Sequence, residues 1–170
     1  MLAAGPVLAL GATGPVTWLG SAAELPRAVF KALEDCRFLA DPLEGEWLPD
    51  NESGGFRTTL AGGVELYVVT CDYGASNMFD AAVLYAEGKA QRLKFPAKDD
   101  GAELVPRDTV GNSRWLGGGR LSTYVSGGCA GAVGTEALYD IAPDGVTLIF
   151  QKSNDDCDKP DWKLDYGTEP

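Results

Sequence analysis

The feature that most constrains this chain is its set of four cysteines, which lie far apart and form no Cys-x-x-Cys pair. They are Cys36, Cys71, Cys129 and Cys157. Structural zinc sites usually take their ligands in closely spaced pairs, so this spacing argues against zinc. An even number of dispersed cysteines is typical of proteins that form disulfides in an oxidising compartment. We therefore expect two disulfides, and four cysteines allow three pairings between which the spacing does not decide.

The chain contains no histidine, which limits the chemistry that it can perform. Cys71 follows the apolar run 66–69, but the base that usually activates a cysteine or serine nucleophile is histidine. Catalytic triads with histidine and histidine-ligated metal centres are therefore excluded. The glycine-rich stretches 117–119 and 127–131 lead into segments that resemble strands, whereas a phosphate-binding loop leads into a helix. We expect tight turns at both stretches, no cofactor and no metal.

Apolar residues recur at helical spacing between residues 24 and 36. The four that share one helical face are Leu25, Val29, Leu33 and Cys36. A helix that begins near Glu24 would hold Pro26 in its first turn, where the missing N–H of proline costs no internal hydrogen bond. We expect the apolar face to pack on a sheet, with Cys36 at the C-terminal end of the helix.

Beyond residue 50 the pattern changes to short apolar runs joined by turn residues. Three hairpins are predicted, with turns at Gly62-Gly63, Glu87-Gly88 and Pro143-Asp144-Gly145. The flanking strands are predicted at 55–61 with 64–71, 78–86 with 89–95, and 135–142 with 146–152; further strands are predicted at 15–19 and 120–125. The predicted class is α+β and β-dominated, an antiparallel sheet or small barrel with one N-terminal helix. This single domain is expected over residues 21–170, and residues 1–20 form a lead-in or the remnant of an export signal.

The formal net charge of −11 narrows the choice of partner. Phosphate backbones and anionic lipids attract basic surfaces, so nucleic-acid binding is not expected. Membrane insertion is not expected either, because no apolar run approaches the roughly 20 residues that span a bilayer. The acidity is consistent with solubility or with a basic protein partner.

Of two charged segments, one is a candidate binding edge and the other is interpreted as a solvated loop. Arg114, Trp115 and Arg120 surround the first glycine-rich stretch. Arginine and tryptophan are enriched at binding hot spots, so this segment predicts a small anion-binding or partner-binding edge. The acidic segment 154–158 lacks the regular ligand spacing of a calcium loop, and we interpret it as a solvated loop around a disulfide.

Short motifs follow one another in a specific order from Cys36 to the C-terminus. They are Cys71-Asp72-Tyr73-Gly74-Ala75-Ser76-Asn77, then Leu121-Ser122 with Gly127-Gly128-Cys129-Ala130-Gly131, then Cys157 with Asp161-Trp162. In this order the chain resembles the family called domain of unknown function 1176, exported proteins of Gram-negative bacteria. The family carries a Cys-x-x-Gly-Ala-Tyr-Asn motif, so Ser76 stands where the family prefers tyrosine.

This resemblance implies export to the periplasm or secretion. The motif order implies that Cys36 pairs with Cys71 and that Cys129 pairs with Cys157. Each disulfide would close a loop of roughly 30 residues and stabilise the fold by about 3–4 kcal/mol. The resemblance also makes the corner with Tyr73, Ser76 and Asn77 the first place to look for a binding site.

The sequence therefore predicts an exported binding or interaction domain that is not an enzyme. Residues 67–74 and the hairpins after them look a little like the periplasmic lysozyme inhibitors. In that alternative, the acidic chain binds a cationic cell-wall hydrolase with the help of electrostatic steering. A second alternative is a carboxylate-based glycan hydrolase, which needs two inward-facing carboxylates roughly 5–10 Å apart in a cleft.

Overall fold

The computed structural model describes residues 14–37, 54–101, 103–159 and 161–170. Most of the predicted lead-in, residues 1–13, lies outside the described residues. The described helical elements are the α-helix α1, Arg27–Ala32, and three 3-10 turns at Ala22–Glu24, Ala61–Gly63 and Cys129–Gly131. Within these segments, no helix has the length and apolar character needed to cross a membrane.

Short strands make up most of the described chain. In chain order they are β1 Thr17–Trp18, β2 Gly55–Thr59, β3 Glu65–Tyr73, β4 Met78–Ala86, β5 Lys89–Arg92, β6 Phe95–Lys98, β7 Leu104–Arg107, β8 Val110–Gly111, β9 Arg114–Gly117, β10 Arg120–Gly128, β11 Val133–Ala142, β12 Gly145–Asn154 and β13 Lys163–Gly167.

The strands form two antiparallel sheets and a separate hairpin. The first sheet has the order β1-β2-β3-β4-β5, with β8 also paired to β4, and the second has the order β13-β12-β11-β10-β9. Strands β6 and β7 pair only with each other among the described residues. The predicted β-dominated α+β class is confirmed, as are the hairpins β2–β3, β4–β5 and β11–β12.

The strand predicted at 89–95 is wrong in its second half. Strand β5 ends at Arg92, and Phe95 begins β6. Leu93 and Phe95 are both buried between the sheets, and the Phe95 ring lies 5.2 Å from the ring of Tyr139 in the second sheet. The chain therefore leaves the first sheet here to fill the space between the two sheets.

Strand β3 is buried on both faces because it lies in the middle layer of three. Its alternate residues Tyr67, Val69 and Cys71 belong to a core shared with α1. Leu66 and Val68 point to the opposite face and join the core between the two sheets. The molecule is thus built as helix, sheet and sheet, and the predicted packing of the helix on a sheet is confirmed.

The helix itself is shorter than the sequence predicts. All four residues of the predicted stripe are buried, although Leu33 and Cys36 come after the last residue of α1, Ala32, and not within the helix as predicted. However, α1 begins only after Pro26, and Leu25 has extended backbone angles, φ −76° and ψ 133°. A residue that precedes proline is disfavoured in the helical region, so Leu25 separates the 3-10 turn at Ala22–Glu24 from α1.

Both predicted disulfides form, Cys36–Cys71 and Cys129–Cys157, and none of the four cysteines is free. The first is buried and ties the turn that follows α1 to β3. The second lies at the surface and joins the 3-10 turn after β10 to the segment after β12. Cys71 is therefore a cross-link of the core and has no thiol to react.

Candidate functional site

The predicted binding edge at Arg114, Trp115 and Arg120 is divided between two faces of the second sheet. Trp115 pairs with the buried Leu121, so its side chain points inward. Arg114 pairs with Ser122 on the outer face, and Arg120 lies opposite Asp140 with 3.7 Å between the charged groups. Because side chains alternate along a strand, the two arginines and the tryptophan do not form one surface.

Trp115 is one of three aromatic residues that line a cleft of about 270 Å³ where β1 and β2 of the first sheet meet β9 of the second. The Phe56 ring lies in the middle, 5.7 Å from Trp18 and 6.0 Å from Trp115 between ring centroids. The three rings are inclined to one another, at 74° for Trp18 and 47° for Trp115 relative to Phe56. Trp18 is 46% exposed, so one wall is open to solvent. We call this feature the aromatic cleft.

The pairing of the first sheet explains how the rings come together. Trp18 lies opposite Phe56, and Phe56 lies opposite Val68, so these side chains form a row on the face that meets the second sheet. Gly55 allows β2 to approach β3 here. It has φ +148°, and a Cβ atom at this position would lie 2.5 Å from the Val68 carbonyl oxygen.

The polar part of the aromatic cleft is Asp80, which is only 7% exposed. One carboxyl oxygen accepts a hydrogen bond of 3.0 Å from the Thr70 hydroxyl. The other accepts 3.0 Å from the Ser113 N–H and 2.6 Å from the Ser113 hydroxyl. Burial raises the pKa of Asp80, and the hydrogen bonds from Ser113 and Thr70 oppose that shift. A buried carboxyl with a raised pKa in a cleft is typical of functional sites.

Sequence reasoning found only Trp115 and Arg114 of this lining and missed Asp80, Trp18 and Phe56. One signal for Asp80 was present, because it is the only charged residue in the otherwise apolar strand 78–86. Charged residues are rarely buried without partners, so a charge at an inward position of such a strand marks a candidate functional residue. The two other rings gave no signal, since their approach depends on the pairing of β1 with β2.

The predicted corner holds the two sheets together through Asn77. Its side-chain oxygen accepts a hydrogen bond of 2.7 Å from the Ser126 N–H, and its amide donates one of 2.9 Å to the Ser126 carbonyl. The Asn112 amide donates to the same Asn77 oxygen, at 2.9 Å. Ser76 is exposed, and Tyr73 is stacked against Arg37, whose guanidinium lies 5.0 Å from the ring centre. Binding at Tyr73 and Ser76 stays a prediction.

A larger and more polar depression of about 630 Å³ lies between β6 and the second sheet. Its lining includes charges of both signs, among them Lys98, Asp99, Lys163 and Asp165. The Gln151 side chain, which also lines it, is bonded in both directions to the Lys98 backbone, at 2.9 and 2.6 Å. Because that amide serves to hold β6 on β12, we consider the aromatic cleft the better candidate for a binding site.

Metal binding has no support from the side chains that the structure describes, because no three of the potential ligands His, Cys, Asp and Glu are grouped there. The comparisons with known proteins add no family to this description. No family model matches the chain, and neither a curated protein nor a solved structure is significantly similar to it.

Proposed function

We propose that this protein is an exported binding domain that holds a ligand in the aromatic cleft and carries out no reaction on it. The observation that supports this most directly is the combination of three inclined rings with one buried carboxyl, Asp80, between the two sheets. Small-molecule sites are typically apolar clefts in which a few placed polar groups fix the orientation of the ligand. The rings supply apolar contact area for the ligand, and Asp80 is the polar group that fixes its orientation.

The lining also favours binding over glycan hydrolysis. Hydrolysis of a glycosidic bond uses two carboxyl groups roughly 5–10 Å apart. Among the described residues that line the aromatic cleft, Asp80 is the one carboxyl. Without a partner, this group can accept hydrogen bonds or balance a positive charge, but it cannot divide the roles of acid and nucleophile with a second carboxyl.

Export is the part of the proposal that the disulfides support. Two disulfides in a chain of this size are expected to form and persist in an oxidising compartment. The resemblance of the motif order to the exported family, domain of unknown function 1176, points the same way. Four free thiols in unfolded protein taken from the periplasm would contradict this part of the proposal.

A panel of small ligands tests the binding proposal directly. Organic ammonium ions, carboxylates and sugars are added to ¹⁵N-labelled protein, and the indole N–H signals of Trp18 and Trp115 are followed. We expect at least one class to shift both signals in a saturable way, and Trp115→Leu to abolish the shift of Trp18. Trp162→Leu is the control, since Trp162 lies near Tyr124 and Lys152 outside the aromatic cleft. No response to any class would overturn the proposal.

The second candidate function is inhibition of a cationic cell-wall hydrolase such as lysozyme. The observation that favours it is the net charge of −11, which would steer the chain toward a basic enzyme. Here the partner would be a protein whose surface meets the acidic chain. Unchanged lysozyme turnover at micromolar protein and low salt would contradict it.

A further inference from the structure

The charge of the aromatic cleft limits the ligands that it can accept. Asp80 and Arg114 are the charged residues among the described lining. Arg114 shares the outer face with Ser122, and both line a separate surface cavity with Leu116 and Glu136. The strand alternation thus directs the guanidinium away from the rings and leaves Asp80 as the charged group that faces the ligand.

Three aromatic rings next to one carboxyl form a favourable environment for an organic cation. A cation above the face of tryptophan or phenylalanine is attracted by the negative potential of the ring, and the attraction is strongest where the cation loses its water. Trp18, Phe56 and Trp115 offer inclined walls that could surround a rounded cation on several sides. A bound cation would also offset the cost of burying the Asp80 carboxylate.

The hydrogen bonds already made in the aromatic cleft distinguish between kinds of cation. A primary ammonium brings three N–H donors that all need acceptors. Asp80 already accepts three hydrogen bonds, one from Thr70 and two from Ser113, and the ring walls have no acceptor atoms. A carboxylate has about four acceptor positions, so little capacity remains. A fully alkylated ammonium has no N–H group, so it leaves no hydrogen-bond donor without an acceptor in the aromatic cleft.

We propose that the aromatic cleft binds a quaternary ammonium group, with Trp18, Phe56 and Trp115 as its walls and Asp80 as its counter-charge. This inference depends on the proposed binding function and specifies its ligand class. The group can belong to a free small molecule or to a trimethylated lysine of a protein, and both present the same chemistry to the rings.

The test compares choline with 3,3-dimethylbutan-1-ol, which has the same shape without the charge. Affinities are measured by titration of the Trp18 and Trp115 indole signals. We expect choline to bind with a dissociation constant on the order of millimolar or tighter, and the neutral alcohol to bind at least about tenfold more weakly. Equal affinities would overturn the proposal, because the aromatic cleft would then select only apolar shape.

Two variants test the residues, with a matched control for each. Asp80→Asn should weaken choline binding about tenfold or more while the affinity for the neutral alcohol changes little. Trp18→Leu, at a position that is 46% exposed, should weaken choline binding severalfold. The controls are Asp140→Asn and Trp162→Leu, a charge and a ring outside the aromatic cleft, for which no change in affinity is expected. Choline affinity that Trp18→Leu leaves unchanged would contradict the assignment of the walls.

Further ligands separate the remaining outcomes. n-Butylammonium should bind more weakly than choline, and tighter binding of this primary amine would overturn the preference for an alkylated group. A peptide with trimethyl-lysine that binds tighter than choline would support the ligand class and identify a protein source, whereas tighter binding of choline would support a small molecule. A response to sugars or carboxylates alone would overturn this inference but leave the proposed binding function standing.

Discussion

Asn77 shows how a single side chain can connect the two sheets. It follows the corner after β3, and its side-chain amide makes hydrogen bonds across to Ser126 of β10 and to Asn112 beside β8. Asn112 in turn bonds the Met78 N–H at 2.9 Å and the Tyr124 carbonyl at 2.7 Å. The two amides thereby satisfy backbone groups of β4 and β10 that would otherwise lose partners. This accounts for an asparagine at the end of the corner motif in physical terms.

Asn77→Ala should therefore lower the free energy of unfolding by about 2–3 kcal/mol, because it leaves the Ser126 N–H and carbonyl without partners at a partly buried position. Urea denaturation measures the loss. Ser76→Ala is the matched control, since Ser76 is the exposed neighbour in the same corner, and its effect should stay within about 0.5 kcal/mol. Equal effects of the two variants would show that Asn77 does not act as a connection between the sheets.

Because of Asp80, the free energy of unfolding should decrease as the pH rises, whereas a salt-bridged carboxylate makes it increase. Its pKa is raised in the folded protein from the ordinary value of 3.8, chiefly by burial. Below pH 3.8 it is protonated in both states, and as the pH rises toward the folded pKa the unfolded chain loses the proton first. The free energy of unfolding should therefore decrease over this range, by at most about 1.4 kcal/mol per pH unit. Asp80→Asn removes this dependence.

The measurement compares denaturation midpoints of the wild type and Asp80→Asn between about pH 3 and pH 8. The difference between the two isolates Asp80 from the other carboxyl groups, because those titrate in both proteins. The variant should gain stability relative to the wild type as the pH rises through the window. If the denaturation midpoints of the two proteins change with pH in parallel, the pKa of Asp80 is not raised.

The elements that local patterns predicted are those with strong turn residues or a clear apolar stripe. Glycine turns and the Pro143-Asp144-Gly145 turn predicted the hairpins, and the apolar stripe predicted the residues that are buried within and around α1. The strands that sequence reasoning missed are β6 to β9 and β13, which are short and depend on distant partners. Strand β6 contains Pro96 and β7 contains Pro106, which argue against strands, yet they lie opposite each other in a two-stranded hairpin.

The two disulfides differ in burial, so the free energy of unfolding should fall by different amounts when each one is removed. The sequence separations are 35 and 28 residues, so loop closure alone gives about 4 kcal/mol for either one. Replacing Cys36 and Cys71 by alanine also creates a cavity in the core below α1, because both residues are buried. That pair should therefore cost at least 1 kcal/mol more than replacing Cys129 and Cys157. Urea unfolding of the two double variants gives the comparison, and equal costs would contradict a structural core around Cys36.

At the scale of the whole molecule, the candidate site exists only because two sheets meet. Trp18 and Phe56 come from the first sheet, Trp115 from the second, and Asp80 lies at the inner face of β4. Residues 18 and 115 are nearly one hundred positions apart in the sequence, so no local pattern could bring them together. Periodicity specifies which side of a strand a residue occupies, but it does not specify which strand of another sheet lies opposite.

The net charge acts on a longer range than the aromatic cleft, and the two can be separated kinetically if the partner is a basic protein. With a charge of −11, the association rate constant with a lysozyme should fall about tenfold or more between about 20 mM and 300 mM salt, because the Debye length shortens from about 20 Å to about 6 Å. If the lysozyme surface also enters the aromatic cleft, Trp115→Leu should raise the dissociation rate constant and leave the association rate constant unchanged, since short-range contacts act after encounter. Surface-immobilised lysozyme allows both constants to be measured. An association rate that does not respond to salt would remove the hydrolase inhibitor hypothesis, while a small-molecule ligand of the aromatic cleft would be unaffected by that result.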